Sequence, residues 1–163
     1  MQPLKTNAMR ALEQRRIPYT AYYYDAALHS GIAVAQAIGV PPEQLFKTLV
    51  VQREQGRPLL AIIPSHRELD LKRMAAAAGE KRVRMATQRE AEALTGLQVG
   101  GISALALLPK GWPVFLDAAA QHFEELYVSA GQRGINLRLR VADLIAITGA
   151  RLAALTTAER PAR

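Results

Sequence analysis

Lys47 opens the segment FKTLVV, where Thr48 and the apolar Leu49, Val50 and Val51 follow it. An ammonium beside such a run can be drawn under a cleft to hold a carbonyl or phosphate oxygen as a compact point charge. At an ordinary strand end the same group is simply solvated. Two small-residue segments can supply partners. Gly100, Gly101, Ile102 and Ser103 can bring backbone N–H groups close to a substrate, since glycine has no Cβ and tolerates positive φ, although the same residues also suit a plain turn. Ser129, Ala130, Gly131, Gln132, Arg133 and Gly134 form a second polar loop, whose arginine either meets a phosphate or carboxylate or stays solvated on a hairpin. Tyr22, Tyr23 and Tyr24 are consecutive. In a strand the outer two share a face, so one tyrosine can flank a pocket while another packs in the core.

Other chemistries find less support. His29, His66 and His122 lie far apart, and none stands at the i, i+4 spacing that puts two metal ligands on one helical face. With no cysteine in the chain, disulfides, thiolate metal sites and cysteine nucleophiles are excluded. There is no G-x-S-x-G elbow around Ser65-His66 or Ser103, no phosphate loop of the G-x-x-x-x-G-K-[ST] kind, and residues 96–101 lack the strand-to-helix setting of a dinucleotide fingerprint. No cofactor is called for.

The elements that must position these residues alternate along the chain. Residues 5–16 read as an amphipathic helix carrying Ala8, Met9 and Leu12 on one face, stopped by Pro18. A strand is expected over 19–24. Ser30 caps a helix that Gly39 ends. Strands at 46–51 and 59–63, joined by the polar segment 53–57, read as an antiparallel hairpin. Asp70 caps a helix closed by Gly79, and residues 81–85 alternate as a strand with one wet face. Thr87 and Glu90 fit a capping box for a helix ending near Gly96. Further strands are expected at 114–116, 127–129 and 135–139, with a last helix at 143–147. The class is α/β or α+β, in one domain over residues 1–157, with 158–163 expected to fray.

The 163 residues are half hydrophobic and 21% charged, which suits a single compact core. No apolar run of about 18 residues exists to cross a bilayer, and the N-terminal segment lacks the apolar stretch of a signal peptide, so a cytoplasmic protein with no membrane partner is expected. Lysine and arginine exceed the acidic residues by 21 to 14, a net charge of +7. That sign favours a polyanion and nominates tRNA or DNA without choosing between them.

Taken in order, Phe46-Lys47-Thr48-Leu49, Glu68-Leu69-Asp70-Leu71-Lys72, Val99-Gly100-Gly101-Ile102-Ser103 and Val128-Ser129-Ala130-Gly131-Gln132-Arg133-Gly134 resemble the YbaK and bacterial prolyl-tRNA synthetase editing-domain family of aminoacyl-tRNA deacylases. The four motifs run in order from residue 46 to residue 134, more than half of the chain. The resemblance implies an α/β single compact domain, a mixed and partly barrel-like β-sheet surrounded by helices, with an open pocket for the aminoacylated 3′ end of tRNA. It implies a trans-editing hydrolase that deacylates mischarged tRNA, with Cys-tRNA(Pro) the foremost substrate and prolyl-tRNA synthetase the expected partner. The catalytic set would be Lys47, Gly100 and Gly101. Tyr24, Thr48, Ile102, Ser103, Ser129, Gly131, Arg133 and Asn136 would bind substrate.

Two positions depart from the family pattern. Ala104 stands where the glycine-led loop normally ends in proline, and Asn136 stands where an acidic residue is usual after the R-G turn, so its side chain carries no charge. The family offers two routes to hydrolysis without a protein nucleophile. A cysteinyl substrate can attack its own ester through its thiol, whereas an alanyl ester needs water or a ribose hydroxyl. Arg10, Arg15, Arg16, Lys81, Arg82, Arg84, Arg138 and Arg140, together with Arg133, are candidates for contact with the acceptor stem. The rival readings are a tRNA- or nucleic-acid-binding module of the same fold without catalysis, and a hydrolase of other small esters or thioesters.

Overall fold

The computed structural model describes residues 5–28 and 30–157. His29 and the tail expected to fray at 158–163 lie outside the described residues.

Among the described residues, five helices and eight strands follow one another in the order α1 (Asn7–Gln14), β1 (Thr20–Tyr23), α2 (Gly31–Ile38), β2 (Phe46–Arg53), β3 (Leu59–Pro64), α3 (Leu71–Ala78), β4 (Val83–Met85), α4 (Gln88–Thr95), β5 (Val114–Asp117), β6 (Glu125–Ser129), β7 (Ile135–Arg140), α5 (Val141–Thr148) and β8 (Arg151–Ala153). Local chemistry explains most boundaries. Thr6 Oγ1 accepts from the Met9 N–H at the start of α1, Ser30 Oγ from Ala33 at the start of α2, and Asp70 from Lys72 and Arg73 at the start of α3. Thr87 and Glu90 close a reciprocal capping box on α4.

The strands form two sheets. One has five strands in the order β4-β2-β3-β5-β8, and the other has three in the order β1-β7-β6. The β2–β3 hairpin is antiparallel, with Phe46 opposite Pro64 and Val51 opposite Leu59, whereas β3–β5 and β5–β8 run parallel. The smaller sheet is antiparallel throughout. A single parallel bridge, Leu45 to Tyr127, stitches it to the foot of β2. The partly barrel-like sheet expected from the resemblance is thus two joined open sheets, with no closed barrel.

Period-two alternation assigns each face of the larger sheet to its own core. Val50, Leu60, Ile62 and Leu116 face Leu126, Val128, Leu137 and Leu139 of the smaller sheet, with Met9 and Leu12 of α1 in the same cluster. Val51, Leu59, Ala61, Ile63 and Phe115 face Met74 of α3 and Leu155 on the other side. Every residue of β3 is buried, as expected of a central strand covered on both faces. Strand β8 was not among the expected elements: its three residues are largely exposed, and only pairing with β5 makes them a strand. Buried Asp117 secures the chain beyond β8, accepting from the Leu155 N–H at 2.8 Å and from the Thr156 hydroxyl at 3.4 Å.

Candidate active site

Strand β4 pairs with β2 only along Val51, Gln52 and Arg53, and at Ala86 its N–H makes a last contact with the Val50 carbonyl oxygen at 3.0 Å. Beyond this point the two strands no longer pair. Backbone groups on a strand alternate in direction, so those of Thr48, two residues before Val50, point to the same uncovered edge. A cleft of about 340 Å³ opens there, between α2, β2, the segment after β4 and the loops around Gly100 and Arg133. That volume is at the small end of ordinary ligand sites.

Lys47 lies half-buried on β2, paired across the hairpin with Ile63, and among the described residues no side chain forms an ion pair with it. Thr48 beside it is buried. Both line the cleft, together with Tyr24, Gly100, Ile102, Ser129, Arg133 and Asn136. These come from separate parts of the sequence, and specific contacts draw them together. The Tyr24 N–H donates to the Gly134 carbonyl oxygen at 2.9 Å. Asn136 sits opposite Tyr22 on one side and Ser129 on the other, and its Nδ2 donates to the Tyr24 hydroxyl at 3.2 Å. Burial pushes the Tyr24 phenol above its ordinary pKa, opposed by hydrogen bonding from Gly134 and Asn136. Its hydroxyl therefore remains protonated at neutral pH.

The glycine pair has a steric explanation. Gly100 adopts a φ of +96°, a left-handed conformation. A Cβ on Gly101 would stand 2.9 Å from the Arg133 backbone nitrogen and 3.0 Å from the Gln132 carbonyl carbon, so only glycine lets the two loops touch. Arg133 Nε completes the contact with a 2.7 Å hydrogen bond to the Val99 carbonyl oxygen.

Three of the expected site residues stand apart from the cleft wall. The Gly101 N–H is engaged by the Gln98 carbonyl oxygen at 2.8 Å, which closes the turn leading into the loop. Ser103 is buried, and its hydroxyl accepts from Ala106. Gly131 faces a smaller hollow of about 250 Å³ behind the loop, beside Thr6, Asn7 and Gln132. Ala104, where the family pattern has proline, packs in the main core.

Several wall residues were not singled out from the sequence. Gly31 and Ser65 meet so closely that a Cβ on Gly31 would lie 2.4 Å from Ser65 Cβ, which sets the approach of α2 to the end of β3. Leu28, Val34 and Ala91, beside the expected Ile102, make much of the wall apolar, while Met85 and Val99 leave exposed hydrophobic surface at it. No local pattern distinguishes Leu28, Val34, Ala91 or Met85 from ordinary core positions. Of the basic residues proposed for RNA contact, Arg84 is held by Glu90 at 2.8 Å, Arg82 by Glu54 at 2.9 Å, and Arg138 by Tyr22, Thr20 and Glu125. Among the described residues no group of three His, Asp or Glu side chains could hold a metal ion, and no helix is long and apolar enough to cross a membrane.

The family model of the aminoacyl-tRNA editing domain matches residues 26–147, which include all of the cleft residues named above except Tyr24. The chain belongs to this family. The editing domain is 38% identical over 157 residues to an Enterococcus faecalis protein named "Putative Cys-tRNA(Pro)/Cys-tRNA(Cys) deacylase EbsC", an alignment covering 95% of each chain. Among solved structures, one described as "a putative trans-editing enzyme for prolyl tRNA synthetase" superposes with a TM-score of 0.81 at 28% identity, covering 96% of this editing domain and all of that chain. The hypothetical protein APE2540 shares the fold, with a TM-score of 0.85 at 24% identity over 93% of this chain and 99% of its own.

Proposed function

We propose that this editing domain is a free-standing hydrolase that removes the amino acid from mischarged tRNA, with Cys-tRNA(Pro) as its foremost substrate. The observation that carries the reading is one cleft gathering Lys47, Tyr24, Gly100 and Asn136 in a chain of the aminoacyl-tRNA editing family. The name of the Enterococcus faecalis relative supports cysteine as the amino acid and proline as the tRNA. Likeness to the solved trans-editing structure supports a prolyl-tRNA synthetase as the neighbouring enzyme, and such a substrate would place the protein in the cytoplasm.

An aminoacyl ester is already activated, so the site needs to orient it and stabilise the negative charge that develops on its carbonyl oxygen. The Gly100 N–H and the uncovered backbone edge at Thr48 are the donors available for this, since the Gly101 N–H is engaged elsewhere. Lys47 holds an oxygen of the terminal adenosine as a point charge. Tyr24, kept protonated, hydrogen-bonds the ester's polar end.

The described wall offers no activated protein nucleophile. Ser30 caps α2, Ser65 donates to the Pro42 carbonyl oxygen at 3.2 Å, and Ser129 accepts from Gly131. Attack by the substrate's own thiol, or by water, fits such a site. Specificity then comes from which side chain lies well against Leu28, Val34 and Ile102.

The decisive experiment measures amino acid released from tRNA-Pro charged with cysteine, alanine or proline, with uncatalysed hydrolysis subtracted. Faster release of a mischarged residue, with proline spared, is expected. Intact tRNA binding with no release would instead assign the chain to an RNA-holding module.

A further inference from the structure

The described residues lining the cleft include two cations, Lys47 and Arg133, and no aspartate or glutamate. Asn136, only 4% exposed, is the polar side chain placed deepest against Tyr24, and its amide nitrogen is turned toward the phenol. The serine hydroxyls of the wall are neutral, and each already makes a hydrogen bond within the protein. An α-ammonium group entering this space meets no carboxylate to form a charge-assisted hydrogen bond, and two like charges oppose it.

We infer that the cleft binds its ester without reading the α-ammonium group, so that it also hydrolyses α-hydroxyacyl esters of tRNA bearing the same side chain, with Asn136 as the residue that sets this tolerance. The inference rests on the deacylase reading above. Discrimination is left to the apolar wall around Leu28, Val34 and Ile102, which offers no charged or hydrogen-bonding side chain to an α-substituent. In the added reaction, water oxygen bonds to the ester carbonyl carbon and the bond from that carbon to the ribose oxygen breaks. The ribose oxygen takes up a proton, and the α-hydroxy acid departs.

The test charges tRNA-Pro chemically with cysteine or its counterpart 2-hydroxy-3-sulfanylpropanoate, and with alanine or lactate. Each rate with enzyme is divided by that ester's own uncatalysed rate, because the amine alters intrinsic reactivity. Within a pair, the normalised rates should agree within about threefold, the scale of one neutral hydrogen bond. Asn136→Asp should shift the ratio about tenfold or more toward the aminoacyl ester, by supplying the missing anionic acceptor. Should that variant fail to fold, the wild-type ratio decides alone. An aminoacyl preference above about tenfold in the wild type would overturn the inference while leaving the deacylase reading intact. Release of neither ester would overturn both.

Discussion

The Arg133 side chain reaches from its own loop to the one before Ile102, where Nε donates to the Val99 carbonyl oxygen at 2.7 Å. Its aliphatic stem lies against Gly100, with Cγ 3.5 Å from where a Cβ would stand. One side chain thus both lines the cleft and fixes the backbone at Gly100 in the cleft wall. Arg133→Ala should lower kcat about tenfold by loosening Gly100, an interaction realised chiefly in the transition state. Arg133→Lys keeps the charge but loses the planar fork, so it should restore little of kcat. If both variants raise KM alone, the residue acts only by binding phosphate. Single-turnover and steady-state deacylation separate these cases.

Lys47→Ala should abolish most deacylation, by about a hundredfold or more, with unchanged circular dichroism, since the side chain is half-buried and forms no ion pair among the described residues. Lys47→Arg tests whether charge suffices or a compact ammonium is required. Full activity in Lys47→Ala would place the site elsewhere.

Gly101→Ala should destabilise the fold by about 1–3 kcal/mol, because the new methyl meets the backbone of Gln132 and Arg133 instead of a side chain that can turn away. Chemical denaturation measures this, and activity should fall with it as the loops separate.

Glu90 accepts two 2.8 Å bonds from the Arg84 guanidinium and one from the Thr87 N–H, which together lower its carboxyl pKa to about 2. A depressed folded-state pKa contributes stability above the unfolded value, and that stability is lost as pH falls from the ordinary glutamate range toward 2. Glu90→Gln should therefore melt below the wild type at pH 7, with the gap closing as the solution is acidified through that window. A gap independent of pH would show that only the cap geometry matters.

Asp117→Ala should cost about 2–3 kcal/mol while leaving the cleft chemistry unchanged, since the carboxylate holds the Leu155 N–H and the Thr156 hydroxyl on the α3 side of the larger sheet. Thermal melts and the tRNA assay, run on the same preparation, check both halves.

Much of the scaffold could be read without coordinates because its signals are local. Ser30, Asp70 and Thr87 cap helices through their own following N–H groups, and the β2–β3 hairpin is encoded by two apolar runs around a polar turn. Strand β8 was not legible, since its pairing partner β5 lies far away in sequence and its own residues are mostly wet. The same division runs through the site. Residue type marked Lys47, the Tyr22–Tyr24 run and Gly100 as able to do chemistry, because a charge, a phenol and a bare backbone each have fixed capacities, whereas Asn136 and the choice of Tyr24 came from the family resemblance. Which of them share a wall depends on where β4 leaves β2 and on how closely Gly101 lets the Arg133 loop approach. Long-range packing turned Ser103 into the core, while a local turn committed the Gly101 N–H to Gln98. Sequence determined the available functional groups and their local elements. Only tertiary packing decided which of these groups share one cleft, because Tyr24, Lys47, Gly100 and Asn136 are far apart in sequence and meet only through contacts between separate strands and loops.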